Sequence, residues 1–256
     1  MNAIWADSPR RVWGIAVPSL YLSSTAAAPL FTAVWLHDRT PPEARLLVGI
    51  SGIPASGKST LAELVVAHTN TALAESPDPD AHAILVGLDG WHLTRAQLDA
   101  LPDPKLAHDR RGIHWTFDGP AYVSFVRALR AHPSSSTPIT APSFDHALKD
   151  PTPHAVTVRP ADRVVVIEGL YTFLAIPPWG EAAALLDERW FVELEVEKAR
   201  SRLVRRHVLS GVAADLEEAV WRADENDMPN GKFVIANMLE PTRIIQSVDD
   251  PVYQLN

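Results

Sequence analysis

Cysteine is absent from all 256 residues. That excludes disulfides, thiolate nucleophiles and cysteine-ligated metals, and it suits a reducing compartment. Positive charge is not in excess either, since 23 Lys and Arg against 31 Asp and Glu leave a net charge of −8. Nothing in that balance draws the chain to nucleic acid or to an anionic membrane, so a small-molecule partner is expected instead. No uninterrupted apolar run reaches the roughly 18 residues of a spanning helix. The most apolar candidate, residues 12–36, is broken by Pro18, Pro29 and the Ser23-Ser24-Thr25 cluster. Internal repeats are missing, and His108 and His114 stand without the surrounding ligand pattern of a zinc site.

What is present is a phosphate-binding loop. Residues 46–50, Leu-Leu-Val-Gly-Ile, read as a strand buried on both faces. Gly52, Ile53, Pro54, Ala55, Ser56, Gly57, Lys58 and Ser59 then complete G-x-x-x-x-G-K-[ST], and Thr60 and Leu61 continue into a helical pattern. Gly52 and Gly57 let the backbone turn its N–H groups inward onto phosphate oxygens at a helix N-terminus. Lys58 is long enough to reach the outer phosphates, and the Ser59 hydroxyl suits Mg²⁺.

Two more buried strands end in acids. Residues 83–88 run into Asp89-Gly90-Trp91-His92, and residues 163–167 run into Glu168-Gly169 in the manner of a Walker B element. Ligands of an open α/β sheet sit beyond the carboxyl ends of its strands, so Asp89 falls beside the phosphate loop if the two strands are neighbours. Asp89 reads as a catalytic base, with a metal- or water-holding role or a simple turn as alternatives. Glu168 reads as a metal-site acid that orients a metal-bound water or the catalytic carboxylate, or as an acid that merely ends a strand.

Between these strands, a short helix capped by Thr94 is followed by residues 105–115, which are polar and without apolar period. They read as irregular, either a solvated loop or a pocket wall in which Arg110 or Arg111 meets an anion. A helix over 121–131 turns Val123, Val126 and Leu129 to one side, and residues 138–146 read as strand-like but proline-punctuated, which suits an edge or a pocket wall better than a central strand. Further on, a strand at 189–194 precedes a basic helix over 197–210. Its Arg202, Arg205 and Arg206 are spaced to share one face, which either closes over phosphates or is simply solvated. A helix at 215–226, a loop at 226–231 and a last strand at 244–248 complete the chain. Residues 1–44 read as an extension, with Trp5, Trp13, Tyr21, Phe31 and Trp35 arguing against full disorder. A cytoplasmic location is expected, with organelle targeting by residues 1–35 the alternative.

Taken together these pieces resemble the P-loop kinase group that contains uridine kinase, pantothenate kinase and phosphoribulokinase, and within it the uridine-kinase-like proteins of fungi and bacteria. The resemblance covers roughly residues 40–250. It rests on the loop at 52–59, Leu88-Asp89-Gly90-Trp91-His92, the stretch from Leu101 to Asp118, residues 141–146, Ile167-Glu168-Gly169-Leu170-Tyr171, and the helix carrying Arg202 to His207. It implies an α/β P-loop NTPase fold, a mainly parallel sheet flanked by helices, with a helical lid at about 198–231 in a domain spanning 45–256. It also implies ATP and Mg²⁺, with Asp89 as the base, Lys58 and Ser59 on the nucleotide and metal, and the arginines of the 202–206 helix, Arg202 and Arg206 among them, over the phosphates. A hydroxyl-bearing acceptor would lie among Asp89, Trp91, His92, Arg110, Arg111, Trp115, Phe144 and Asp145, and a homodimer is left open. One departure is Lys149, where the family places a histidine near the base. The competing reading from the loop alone is a nucleoside triphosphate hydrolase or switch acting on a protein partner.

Overall fold

The computed structural model describes residues 44–76, 78–131, 138–145 and 148–249, the side chain of Asp145 excepted. The readings made of residues 1–43, of Pro77, of the serines at 134–136 and of His146 lie outside these residues.

In chain order, the first half contains β1 (Leu46–Gly52), α1 (Lys58–Ala74), β2 (His82–Gly87), α2 (Arg95–Asp99), α3 (Pro104–Asp109), α4 (Gly119–Ala131) and β3 (Ile139–Asp145). The second half contains β4 (Asp150–Val158), β5 (Asp162–Glu168), α5 (Trp179–Leu185), β6 (Glu188–Glu193), α6 (Val196–Leu209), α7 (Leu216–Arg222), α8 (Met228–Asn237) and β7 (Arg243–Gln246). Five strands form a parallel sheet in the order β2-β5-β1-β6-β7, while β3 and β4 pair antiparallel in a second, two-stranded sheet.

The apolar runs dictate this frame, because strands apolar on both faces must be covered on both. Along β5 the pleat sends Val164 and Val166 to one side, where they join Ala62 and Val65 of α1 and Trp190 of β6. Val165 and Ile167 go to the other, against Tyr122 and Val126 of α4 and Trp179 of α5. All of these side chains are buried, and each aliphatic one contributes about 1.5–3 kcal/mol relative to exposure. Val123, Val126 and Leu129 lie on the buried face of α4, as their spacing predicts.

Register brings the chemistry to one edge. Glu168 at the end of β5 lies level with Ile50 of β1 on one side and Gly87 of β2 on the other. The loop after β1 and the turn after β2 therefore leave from the same carboxyl edge. The condition set for Asp89 is corrected, however: β1 and β2 are not neighbours, since β5 lies between them.

Two local expectations also change, and one strand appears for which the sequence offers no reading. Residues 105–115 are not irregular throughout but hold α3 and a 3₁₀ turn at His114–Thr116. Asp103 caps α3 through the Leu106 N–H at 2.9 Å and Pro104 stands at its first position, signals that outweigh the missing apolar period. Residues 226–231 are not a loop: a π-turn, Ala223–Asp227, runs directly into α8, whose first turn accommodates Pro229. Strand β4 carries no alternating signal and contains Pro151 and Pro153, which an edge strand tolerates. The Thr94 cap is present as a full capping box with Gln97.

Candidate active site

The loop between β1 and α1 is built for close backbone approach. A Cβ at Gly52 would stand 2.5 Å from Ser56 Oγ and 2.7 Å from the Val192 carbonyl oxygen, so no other residue fits there without displacing the turn. Ala55 and Gly57 both have left-handed backbone, at φ 62° and 90°. For Ala55 that conformation carries strain of a kind that clusters at ligand clamps. α1 starts at Gly57 with no side-chain cap and no acid in its first turn, which leaves its leading N–H groups for an anion. The Ser56 hydroxyl is buried and has no hydrogen-bond partner, an orphaned polar group at the same place. These features fit the phosphates of a nucleotide.

Lys58 and Glu168 face each other across the carboxyl edge, Nζ to Oε1 3.9 Å, each side chain 16 % exposed. Burial pushes the Glu168 carboxyl above its ordinary range; Lys58 draws it back, Asp89 raises it further, and a hydrogen bond donated by the Ser59 hydroxyl lowers it. Two hard oxygen donors, Ser59 and Glu168, thus meet beside the phosphate loop, which fits Mg²⁺.

Asp89 lies in a 3₁₀ turn, Leu88–Trp91, that prolongs β2. It reaches this cluster from beyond β5, and its charge acts on both Glu168 and Tyr171. Its side chain is 52 % exposed, unlike that of Glu168. His92 is held by its Nδ1 against the Asp89 carbonyl oxygen at 2.8 Å, with the same nitrogen 4.0 Å from Asp89 Oδ1. The His92 ring lies between Phe117 at 3.9 Å and Phe144 at 4.9 Å.

Arg111 closes this side. Its guanidinium donates to the Lys149 carbonyl at 2.5 Å, to the Leu93 carbonyl at 2.8 Å and to Asp150 Oδ1 at 3.1 Å, and sits 5.4 Å over the Phe144 ring. Its Nε is buried without a partner. The Tyr171 hydroxyl donates to the Gly112 carbonyl at 2.8 Å, and Asn226 Nδ2 donates to the Arg111 carbonyl at 3.2 Å, so the backbone at 111–112 is held from two directions.

Not every expected residue belongs here. Trp91 is 4 % exposed and packs against Tyr122 and Phe125, with ring centroids 5.4 and 5.0 Å apart. It is a core residue, because the 3₁₀ turn points Asp89 outward and Trp91 inward. Arg110 donates to the Glu225 carbonyl of the π-turn rather than facing Asp89. Trp115 is exposed on the 3₁₀ turn His114–Thr116. Arg202 donates to the Ala55 carbonyl of the phosphate loop at 3.3 Å, Arg206, four residues or about 6 Å further along the helix, is exposed, and Arg200 is bonded to Asp224.

The π-turn and α8 were missed by the sequence reading, and they bind the parts together. Asp227 pairs with the buried His207 of α6 at 3.0 Å, Phe233 stacks on His114 at 4.6 Å, and Gly231 lies against Ile53 and Pro54 of the phosphate loop. The polar run Asp224-Glu225-Asn226-Asp227 between two helices was the available signal.

Comparison with known proteins agrees with this geometry. The chain is 48 % identical over 153 residues to the ATP-dependent kinase-like protein notR' of Aspergillus versicolor, spanning 59 % of this chain and 89 % of that one. It is 36 % identical over 204 residues to a Schizosaccharomyces pombe protein bearing the provisional name uridine kinase, spanning 80 % of this chain and 84 % of that one. A crystal structure from Silicibacter sp. TM1040, provisionally described as a fructose transport system kinase, superposes with a TM-score of 0.72 at 29 % identity, covering 87 % and 99 % of the two chains. No protein-family model matches the chain. By its relatives, its sheet order and its phosphate loop, the chain belongs to the uridine-kinase-like family of ATP-dependent P-loop kinases.

Proposed function

We propose that the protein transfers the γ-phosphate of ATP to a hydroxyl group of a small metabolite, a nucleoside, sugar or vitamin-like alcohol. The observation that carries this reading is Asp89. It is an exposed carboxylate electrostatically coupled to the half-buried Lys58–Glu168 pair, with a wall of His92, Phe144 and Arg111 beside it. A nucleotide hydrolase that drives a protein partner needs the phosphate loop but has no use for such a wall.

In the reaction, the Asp89 carboxylate accepts the proton of the acceptor hydroxyl as its oxygen bonds to the γ-phosphorus and ADP departs. Residues 52–60 cradle the phosphates through the backbone N–H groups of all but Pro54. Lys58 and Arg202 offset the charge that develops on the transferring group. Ser59 and Glu168 would hold Mg²⁺, which when bound supplies further charge neutralisation at the outer phosphates. His92, Arg111 and Phe144 orient the acceptor, so that attack occurs from a fixed position.

The test is ADP release from Mg·ATP by the full chain across a panel of nucleosides, sugars, polyols and vitamin-like alcohols, with a control lacking acceptor. At least one acceptor class is expected to raise the rate well above the control. Equal rates across the panel would overturn the reading in favour of a hydrolase or switch.

A further inference from the structure

Arg202 is not free to swing over a nucleotide as a solvated lid arginine would be. Its guanidinium is spread over three acceptors from three parts of the chain. One amino group donates to the Ala55 carbonyl at 3.3 Å and to Ser247 Oγ at 3.1 Å, and the other to Asp249 Oδ1. The second carboxylate oxygen of Asp249 pairs with Lys198, one turn earlier on α6, at 2.5 Å. Those two cations hold the Asp249 carboxyl below its ordinary range. The segment carrying these acceptors is itself anchored, because the Ser247 N–H donates to the Glu193 carbonyl at 2.9 Å where β7 ends beside β6. Ser247 Oγ also lies 3.7 Å from where a Cβ on Gly57 would stand, so this segment runs along the phosphate loop.

We infer that Ser247 and Asp249 are positioning residues: they hold the Arg202 guanidinium against the phosphate loop, so that the cation is in place before the nucleotide arrives. The inference rests on the phosphotransferase reading for the identity of the ligand. The physical argument is one of preorganisation. An arginine on a helix surface loses rotamer freedom when it is fixed, and fixing it in advance spares that cost at the moment of binding. Arg202 is 28 % exposed and Asp249 47 %, so each contact is modest and the three act together. The opposite role is physically available, since a carboxylate beside a phosphate loop could repel the nucleotide and withhold the arginine from it. The Ala55 carbonyl decides between them, because the guanidinium is bound to the loop itself and not drawn away from it.

The test is calorimetric titration of the full chain with Mg·AMP-PNP, comparing Asp249→Ala, Asp249→Glu, Ser247→Ala and Lys198→Ala with wild type, and repeating Asp249→Ala in an Arg202→Ala background. Asp249→Ala is expected to weaken binding about two- to fivefold, the range an exposed ion pair supplies. Asp249→Glu recovers most of that loss, Ser247→Ala shows a smaller loss, and Lys198→Ala changes affinity less than about twofold. In the Arg202→Ala background, Asp249→Ala has almost no further effect, as required of a residue that acts through another. Unchanged or tighter binding by folded Asp249→Ala overturns the inference, and so does an equal loss in both backgrounds. If Asp249→Ala does not fold, Ser247→Ala carries the same comparison. A wild type that binds no Mg·AMP-PNP would instead sink the phosphotransferase reading on which the inference stands.

Discussion

Replacing Gly90 by alanine tests how tightly the acceptor wall is set against the turn that carries Asp89. A Cβ at this position would lie 2.2 Å from the Pro142 carbonyl oxygen, 2.6 Å from its carbon and 3.1 Å from the Ser143 nitrogen. All three atoms are backbone, so no side-chain rotation relieves the contact. Either β3 or the turn must move by about 1 Å to restore ordinary van der Waals distance, and overpacking of this kind costs about 1–3 kcal/mol. For a domain of this size each kcal/mol lowers the melting temperature by about 2–4 °C, so Gly90→Ala should melt about 2–12 °C below wild type. Because the displaced parts carry Asp89 on one side and Phe144 on the other, phosphoryl transfer should fall about 10²-fold. Nucleotide binding should persist, since Gly90 is not part of the phosphate loop. Thermal melting followed by circular dichroism, together with ADP release in the presence of an active acceptor, reads both effects. A variant that melts within about 1 °C of wild type and turns over at the wild-type rate would refute the packing described here.

Other perturbations follow from the same site. Arg111→Lys discards the planar fork that meets two carbonyls and Asp150, and should cost about 1–3 kcal/mol in denaturant unfolding while raising the acceptor KM more than it lowers kcat. Burial holds the His114 imidazole below its ordinary range, so its share of stability is present above about pH 6.5 and is lost as pH falls through the lower folded value. In His114→Phe, which keeps the ring stacked on Phe233, the stability difference between about pH 7.5 and pH 5.5 should therefore shrink; an unchanged difference would remove His114 from the account. Glu168→Gln keeps an oxygen for the Ser59 hydroxyl but loses the charge, and the Mg²⁺ concentration giving half-maximal rate should rise about 10–100-fold.

What could be read from the chain depended on whether the determining contacts were local. β1, the phosphate loop and α1 are contiguous, and their residue types carry their own backbone and charge requirements, so both element and function were legible. The buried runs of β2 and β5 announced themselves by apolar composition, and the acids at their ends followed. Sheet order was not legible, because a crossover leaves no mark in the strands it connects; that is why the position of Asp89 beside the loop could be given only on the condition that β1 and β2 pair, which β5 between them does not meet. Trp91 was misassigned for a related reason, since an aromatic residue two places from a catalytic candidate lies toward the site or toward the core according to the turn's twist. Arg202 was found by its charge, but its partners Ser247 and Asp249 lie more than forty residues away in a segment with no motif. The π-turn was hidden because Pro229 and Gly231 read as loop residues until packing against Ile53 and Pro54 explains the glycine.

The most direct test of the central claim is Asp89→Asn, assayed for nucleotide binding and for ADP release with an active acceptor. The substitution keeps size and hydrogen-bonding capacity and removes the group that takes the proton. The account predicts turnover reduced by 10²-fold or more, the order a general base contributes, with Mg·AMP-PNP bound at close to wild-type affinity. Near-wild-type turnover by a folded, nucleotide-binding Asp89→Asn protein would show that Asp89 is not the base and would contradict the account at its centre.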